Sequence, residues 1–229
     1  MNRNLPDQTL GALAGAIPGA TRIFQELQLD FCCGGNKSLA EAVQERGLEL
    51  AAVLAALDSL DSDPAANVDW RSFTPAELVA HIVTRFHERH RVQLPELIRL
   101  SRRVEHVHAG RPGCPAGLAE ALEGLQQELE SHMMKEEQVL FPMLARGLQV
   151  QAQAPIAVMR FEHEQHGNAL DGLMQLTNNI TTPANACNTW RALYGGLKAF
   201  REDLMQHIHL ENNVLFLNVS NAAIGAHHA

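Results

Sequence analysis

The chain has 229 residues, is 46% hydrophobic and 19% charged, and carries a formal net charge of −8. That composition suits one large globular domain, or one plus a small appendage, and excludes wholesale disorder. The acidic balance disfavours a nucleic-acid partner, which needs a basic face for phosphates, and no apolar run reaches the ~18–20 residues of a membrane span.

The first residues, Met1-Asn-Arg-Asn-Leu5, have no long apolar core behind their one basic residue, so no signal peptide is expected and the cytoplasm is the expected location. Aromatic residues are scarce at 5% and β-branched residues form no sustained alternation, which predicts an all-α fold. Residues 1–62 read as a small domain of short helices. Leu10, Leu13, Ile17 and Phe24 supply its apolar face, interrupted at Pro18-Gly19. Asp30-Phe-Cys-Cys-Gly-Gly35 reads as a loop, because two glycines in series break a helix. Ser38 followed by Glu41 is a capping-box signal; Gly47 ends that helix and 48–60 forms another. The polar stretch Asp61–Asn67 reads as the domain boundary.

Residues 70–218 are expected to form an up-down-up-down four-helix bundle. Thr74-Pro75-Ala-Glu77 opens the first long helix, with a capping Thr, a Pro at the first helical position and a Glu three residues after the cap. That helix is expected over 74–107, bent at Pro95, and the others over 118–145, 154–177 and 187–218.

The bundle contains a repeat. His132-Met-Met-Lys-Glu136-Glu-Gln-Val-Leu-Phe141 and His207-Ile-His-Leu-Glu211-Asn-Asn-Val-Leu-Phe216 share H-x-x-x-E-x-x-V-L-F. His87-Glu-Arg-His90 and His163-Glu-Gln-His166 share H-E-x-H, and each precedes its partner motif by 44–45 residues. Residues four apart lie one turn apart on one helix face, so His132 with Glu136, and His207 with Glu211, can point together into the bundle. Val139, Leu140, Val214 and Leu215 are expected to continue that buried stripe. A carboxylate in such a core must be paired, protonated or metal-bound. Four imidazoles (His87, His132, His163, His207) and two carboxylates (Glu136, Glu211) make a cage with more donors than a closed zinc site takes. Two metals could share it, leaving positions for water, a bridging oxide or a diatomic ligand. His90 and His166 read as outer donors, extra ligands or partly exposed histidines. His106, His108, His209, His227 and His228 receive no role, and Glu105-x-x-His108 reads as coincidence. Thiolates are soft iron ligands, so Cys32 and Cys33 form a candidate relay for iron, nitrosyl groups or electrons; a buried pair filling space is the plainer alternative. Cys114 and Cys187 fall in expected interhelix loops and receive no role.

These residues resemble a known family. The bundle looks like a haemerythrin-like cation-binding domain, and an Asp-Phe-Cys-Cys-Gly-Gly run before it marks the RIC (repair of iron centres) family. Asp69-Trp-Arg-Ser72, Leu94-Pro-Glu-Leu97, Thr177-Asn-Asn179 and Leu210-Glu-Asn-Asn213 extend the resemblance over most of the chain. Leu217 departs from it, standing where relatives tend to have Pro. The resemblance implies two non-haem irons per chain on the six donors, with Glu136 and Glu211 as carboxylate bridges and an oxo bridge between the irons. It also implies repair of iron–sulfur proteins damaged by nitric oxide or oxidative stress, by iron donation. Nitric oxide binding, or its reduction to nitrous oxide at the same irons, is the alternative activity. A sensor ranks last, since no output module is visible. Monomer and homodimer are both compatible with the sequence.

Overall fold

The computed structural model describes residues 4–17, 19–32, 34–60, 70–217 and 219. Pro18, Cys33, the expected boundary at Asp61–Asn67, and His227 and His228 lie outside them. Ten α-helices are described, with no strand among the described residues beyond a single antiparallel bridge, Thr9 to Ser38. The chain forms two compact units, residues 79–204 and residues 1–78 with 205–229.

In the second of these units, α1 (Leu10–Ala16), α2 (Ala20–Glu26), α3 (Leu39–Glu45) and α4 (Leu50–Ser59) are short, as expected. The apolar face forms as read: Leu10, Leu13, Ile17 and Phe24 are all buried. The loop after α2 is strapped to the start of α1 by Leu10 N–H to Lys37 O at 2.9 Å and Gly11 N–H to Gly35 O at 2.8 Å. Close approach explains both glycines. A Cβ on Gly35 would lie 2.5 Å from Phe31 O, and one on Gly11 would lie 2.4 Å from Asn213 Oδ1. Ser38 and Glu41 close a reciprocal capping box at α3, and Thr74 and Glu77 make the same pair of bonds at the start of α5 (Pro75–Ile82).

The other unit holds α6 (Glu88–His108), α7 (Leu118–Lys135), α8 (Phe141–Ala145), α9 (Gln149–Leu176) and the first part of α10 (Asn188–Leu210). Cross-links fix the helix directions. Arg102 near the end of α6 meets Glu123 early in α7, and Arg91 near its start meets Glu130 late in α7, so the two are antiparallel. Likewise His108 at the end of α6 stacks 4.9 Å from Trp190, while Arg85 and Gln93 bind Asp203, so α6 and α10 are antiparallel. The fold is therefore an all-α bundle.

One boundary and one bend differ from the sequence expectation. α9 begins at Gln149 rather than 154 and carries Pro155 inside it. The first long helix departs from α geometry at Val83–His87, not at Pro95, which α6 accommodates internally. After α9, Asn178, Asn179 and Ile180 all have positive φ, and Thr177 Oγ1 supports that turn by accepting from Ile180 N–H.

Candidate metal centre

Among the described residues, three π-helical turns interrupt the long helices, at Val83–His87, Glu136–Leu140 and Glu211–Leu215. Each begins or ends on an expected ligand. Such turns insert one residue into an α-helix and recur at functional sites. The insertion rotates everything downstream by about 100° against the α register. This corrects one expectation. Val139 does not continue the buried stripe of His132; it is 50% exposed, and Leu140, one residue on, is buried in its place.

Within residues 79–204, His87, His132, Glu136 and His163 are all buried. Glu136 divides its carboxylate between two imidazoles: Oε1 lies 3.3 Å from His132 Nε2 and Oε2 lies 3.4 Å from His87 Nε2. His163 Nε2 stands 3.1 Å from His132 Nε2. Donors each about 2.1 Å from one cation, at near-octahedral angles, sit roughly 3 Å apart, so these spacings fit a shared cation.

The outer nitrogens explain why the inner ones point inward. His87 Nδ1 pairs with Glu137 Oε1 at 2.8 Å, and His132 Nδ1 with Glu162 Oε2 at 2.9 Å. Carboxylates behind ligating imidazoles fix the tautomer and raise ligand basicity. Burial pushes the Glu162 carboxyl up, but Lys135 and the His132 ring override it and hold it below its ordinary value. Glu137 is lowered in the same way, with burial opposed by Arg91 and His87. The sequence reading missed Glu137, Glu162 and Arg91. Their signal was position, since Glu137 follows one expected ligand and Glu162 precedes another.

In the unit formed by residues 1–78 and 205–229, His207 Nε2 lies 3.3 Å from Glu211 Oε1, and both residues are fully buried. Here the neighbours are amides. Asn212 Nδ2 donates to Cys32 O and Asn213 Nδ2 to Phe31 O, both at 3.3 Å. His209, given no role, is buried against Phe31 with ring centroids 5.4 Å apart, and burial pushes its pKa down to about 4. It is a packing residue on the face away from the donor pair. Cys32 is buried, and its thiol donates to Asp30 Oδ1 at 3.2 Å; the same carboxylate accepts from Cys32 N–H and Gly34 N–H.

His90 and His166 are buried rather than partly exposed. His90 packs against Phe86 and Phe200, with Nδ1 on Gln93, and His166 lies edge-on to His132. Neither belongs to the donor clusters. Glu105 accepts from Ala119 N–H at the start of α7, so Glu105-x-x-His108 is not a shared ligand pair.

An antiparallel helical bundle that buries imidazoles around a carboxylate at π-helical turns defines a helical-bundle metal-binding protein, and its donor chemistry suits non-haem iron. Residues 78–217 match the model of the hemerythrin HHE cation binding domain, and residues 6–61 match ScdA_N, a domain of unknown function. The chain is 50% identical over 210 residues to the iron-sulfur cluster repair protein YtfE of Dickeya chrysanthemi, covering 92% of this chain and 95% of that relative. It is 51% identical, over the same shares, to the proteins of that name from Yersinia pseudotuberculosis and Yersinia pestis. The chain belongs to the YtfE family of iron–sulfur cluster repair proteins. None of its described helices is long and apolar enough to cross a membrane.

Proposed function

We propose that this chain repairs damaged iron–sulfur proteins by donating iron from a two-iron centre. The ligands are His87, His132, Glu136, His163, His207 and Glu211, with Glu136 and Glu211 bridging. Residues 70–218 form the iron-holding domain and residues 1–62 the domain that presents Cys32 and Cys33 as the relay. The observation that carries this reading is Glu136, fully buried, with each carboxylate oxygen facing a different imidazole. A carboxylate with that environment is placed to serve two cations at once, and the H-x-x-x-E repeat supplies its counterpart in Glu211.

The chain's own residues determine how firmly the cargo is held. The two carboxylates compensate part of the cation charge in a buried site. The set therefore grips a ferric pair more firmly than a ferrous one, and reduction loosens it. Glu137 and Glu162 keep the inner nitrogens of His87 and His132 unprotonated and aimed. Cys32 and Cys33 offer soft sulfur donors to an ion in transit. The clients are iron–sulfur proteins damaged by nitric oxide or oxidants.

The test has two parts. Anaerobic reconstitution should give close to two irons per chain, and one zinc or no metal would overturn the centre. The loaded protein under reducing conditions should then restore an inactivated iron–sulfur dehydratase. Failure where free iron at the same concentration succeeds would overturn donation. Catalytic nitrous oxide formation under the same conditions would identify nitric oxide reduction instead.

A further inference from the structure

At the far end of α6, about 30 Å from His87 at 1.5 Å per residue, lies a second chemically competent pair. His108 Nε2 is 3.3 Å from Cys187 Sγ. One residue ends α6 and the other precedes α10, so both stand at the same end of that antiparallel pair. Their environments differ sharply: His108 is 5% exposed, whereas Cys187 is exposed. Among the described residues, the only hydrogen-bonding partner of the buried imidazole's side chain is the exposed sulfur, and its Nδ1 has none. An apolar side chain against Trp190 would serve packing better than an imidazole with one nitrogen unsatisfied.

The pair joins two helix ends. His108 is the last residue of α6. Cys187 immediately precedes α10, and its carbonyl accepts the first helical bond, from Arg191 N–H at 3.0 Å. Cys187 is therefore the residue at the N-terminal cap of α10. The Arg191 guanidinium folds back over the preceding loop, donating to Ala186 O and Ala184 O. At Cys114, burial and the Glu105 charge both push the thiol pKa up.

We propose that Cys187, activated by His108, is a site of reversible thiolation by low-molecular-weight disulfides. The Cys187 thiol gives its proton to His108 Nε2, and the thiolate attacks one sulfur of the disulfide. The disulfide's S–S bond breaks and a Cys187–S–S–R bond forms. The departing thiolate takes the proton from His108 and leaves as R–SH. A second small thiol reverses the step. The site is separate from the iron donors, so the modification marks oxidising conditions without removing a ligand.

The test uses the reduced, iron-loaded, full-length protein and oxidised glutathione, with adducts located by peptide mass mapping over time. Cys187 should carry the first adduct, form it about threefold faster than free cysteine at neutral pH, and lose it to dithiothreitol with iron content unchanged. His108→Gln should slow the reaction to the free-cysteine rate. First modification at Cys32, Cys33 or Cys114 would overturn the proposal, as would a wild-type rate in His108→Gln. Should His108→Gln fail to fold, the pH profile of Cys187 alkylation by iodoacetamide in the wild-type protein decides. Reactivity persisting near pH 6 supports the pair, and a single rise near the ordinary thiol value of about 8.5 overturns it.

Discussion

The motif H-x-x-x-E-x-x-V-L-F occurs twice, and its copies differ in the two residues after the Glu and in what those residues hold. After Glu136 the chain reads Glu-Gln, and Glu137 turns back to hold His87 while Arg91 holds Glu137. After Glu211 it reads Asn-Asn, and both amides reach away to the carbonyls of Phe31 and Cys32. Both copies place a π-helical turn on the Glu. In the first copy the shifted register leaves Val139 exposed, whereas in the second Val214 is buried in the unit that contains α1. One motif thus serves two ends. The first copy builds a charged outer layer that aims imidazoles, and the second ties the cysteine loop to the helix that carries a donor pair.

The hardest test of this division is to neutralise the two bridging candidates in turn. Glu136→Gln and Glu211→Gln should each lose most of the bound iron, because an amide compensates cation charge poorly in a buried site. Iron per chain after desalting reads this directly. Full retention in either variant would remove that residue from the proposed bridges. His209→Ala, two residues from His207 on another face, should keep its iron while losing stability through its contact with Phe31.

A smaller effect separates the outer layers. Glu162→Gln keeps the shape but removes the charge behind His132, and changes of this kind cost about 10–100-fold in metal affinity. Asn212→Ala, whose amide donates to Cys32 O, should change affinity far less. Competition with a chelator ranks the two. Equal losses would mean that the copies are not specialised as described.

The donor residues were legible because a helix turns chemistry into spacing: His and Glu four apart, twice, have no other economical reading. The capping boxes at Ser38 and Thr74 were legible for the same local reason. The π-helical turns were not, since an inserted residue leaves the sequence unchanged and reveals itself only when Val139, expected in the buried stripe beside Leu140, is exposed. Glu137 and Glu162 were hidden because their partners lie on other helices, 50 and 30 residues away in the chain. His209 received no role, and His108 only a Glu-x-x-His spacing that reads as coincidence. Each is buried by a tertiary contact, with Phe31 and with Trp190, that periodicity does not encode.

The contact that ties the cysteine loop can be strained at one atom. Gly11 lies inside α1, where alanine would normally favour the helix by about 1 kcal/mol. Its added Cβ would sit 2.4 Å from Asn213 Oδ1 and 3.1 Å from Gly35 O. Gly11→Ala should therefore destabilise by about 1–3 kcal/mol in chemical denaturation, the usual cost of overpacking. Asn213→Ala removes the obstructing side chain, so the double variant should lose less than the sum of the two. Strict additivity would show that the backbone at Gly35, not the amide, sets the limit.

The smallest expected effect compares the two capping boxes, one before α3 and one before α5. Ser38 holds Glu41, and Thr74 holds Glu77, through the same backbone and hydroxyl bonds, and these lower both carboxyl pKa values. A carboxyl whose folded value is lowered contributes stability above its unfolded value, and that contribution is lost as pH falls through the folded one. Glu41→Gln and Glu77→Gln keep a cap acceptor without the charge. Each should be slightly less stable than wild type near neutrality, and the gap should close as pH drops below the ordinary carboxylate range of about 4. Urea midpoints across that range give the measurement. Because both glutamates are solvent-exposed, the two gaps should be small and alike. A gap that persists in acid at one box but not the other would mean that the amide fails there as an acceptor, so that geometry rather than charge carries the cap.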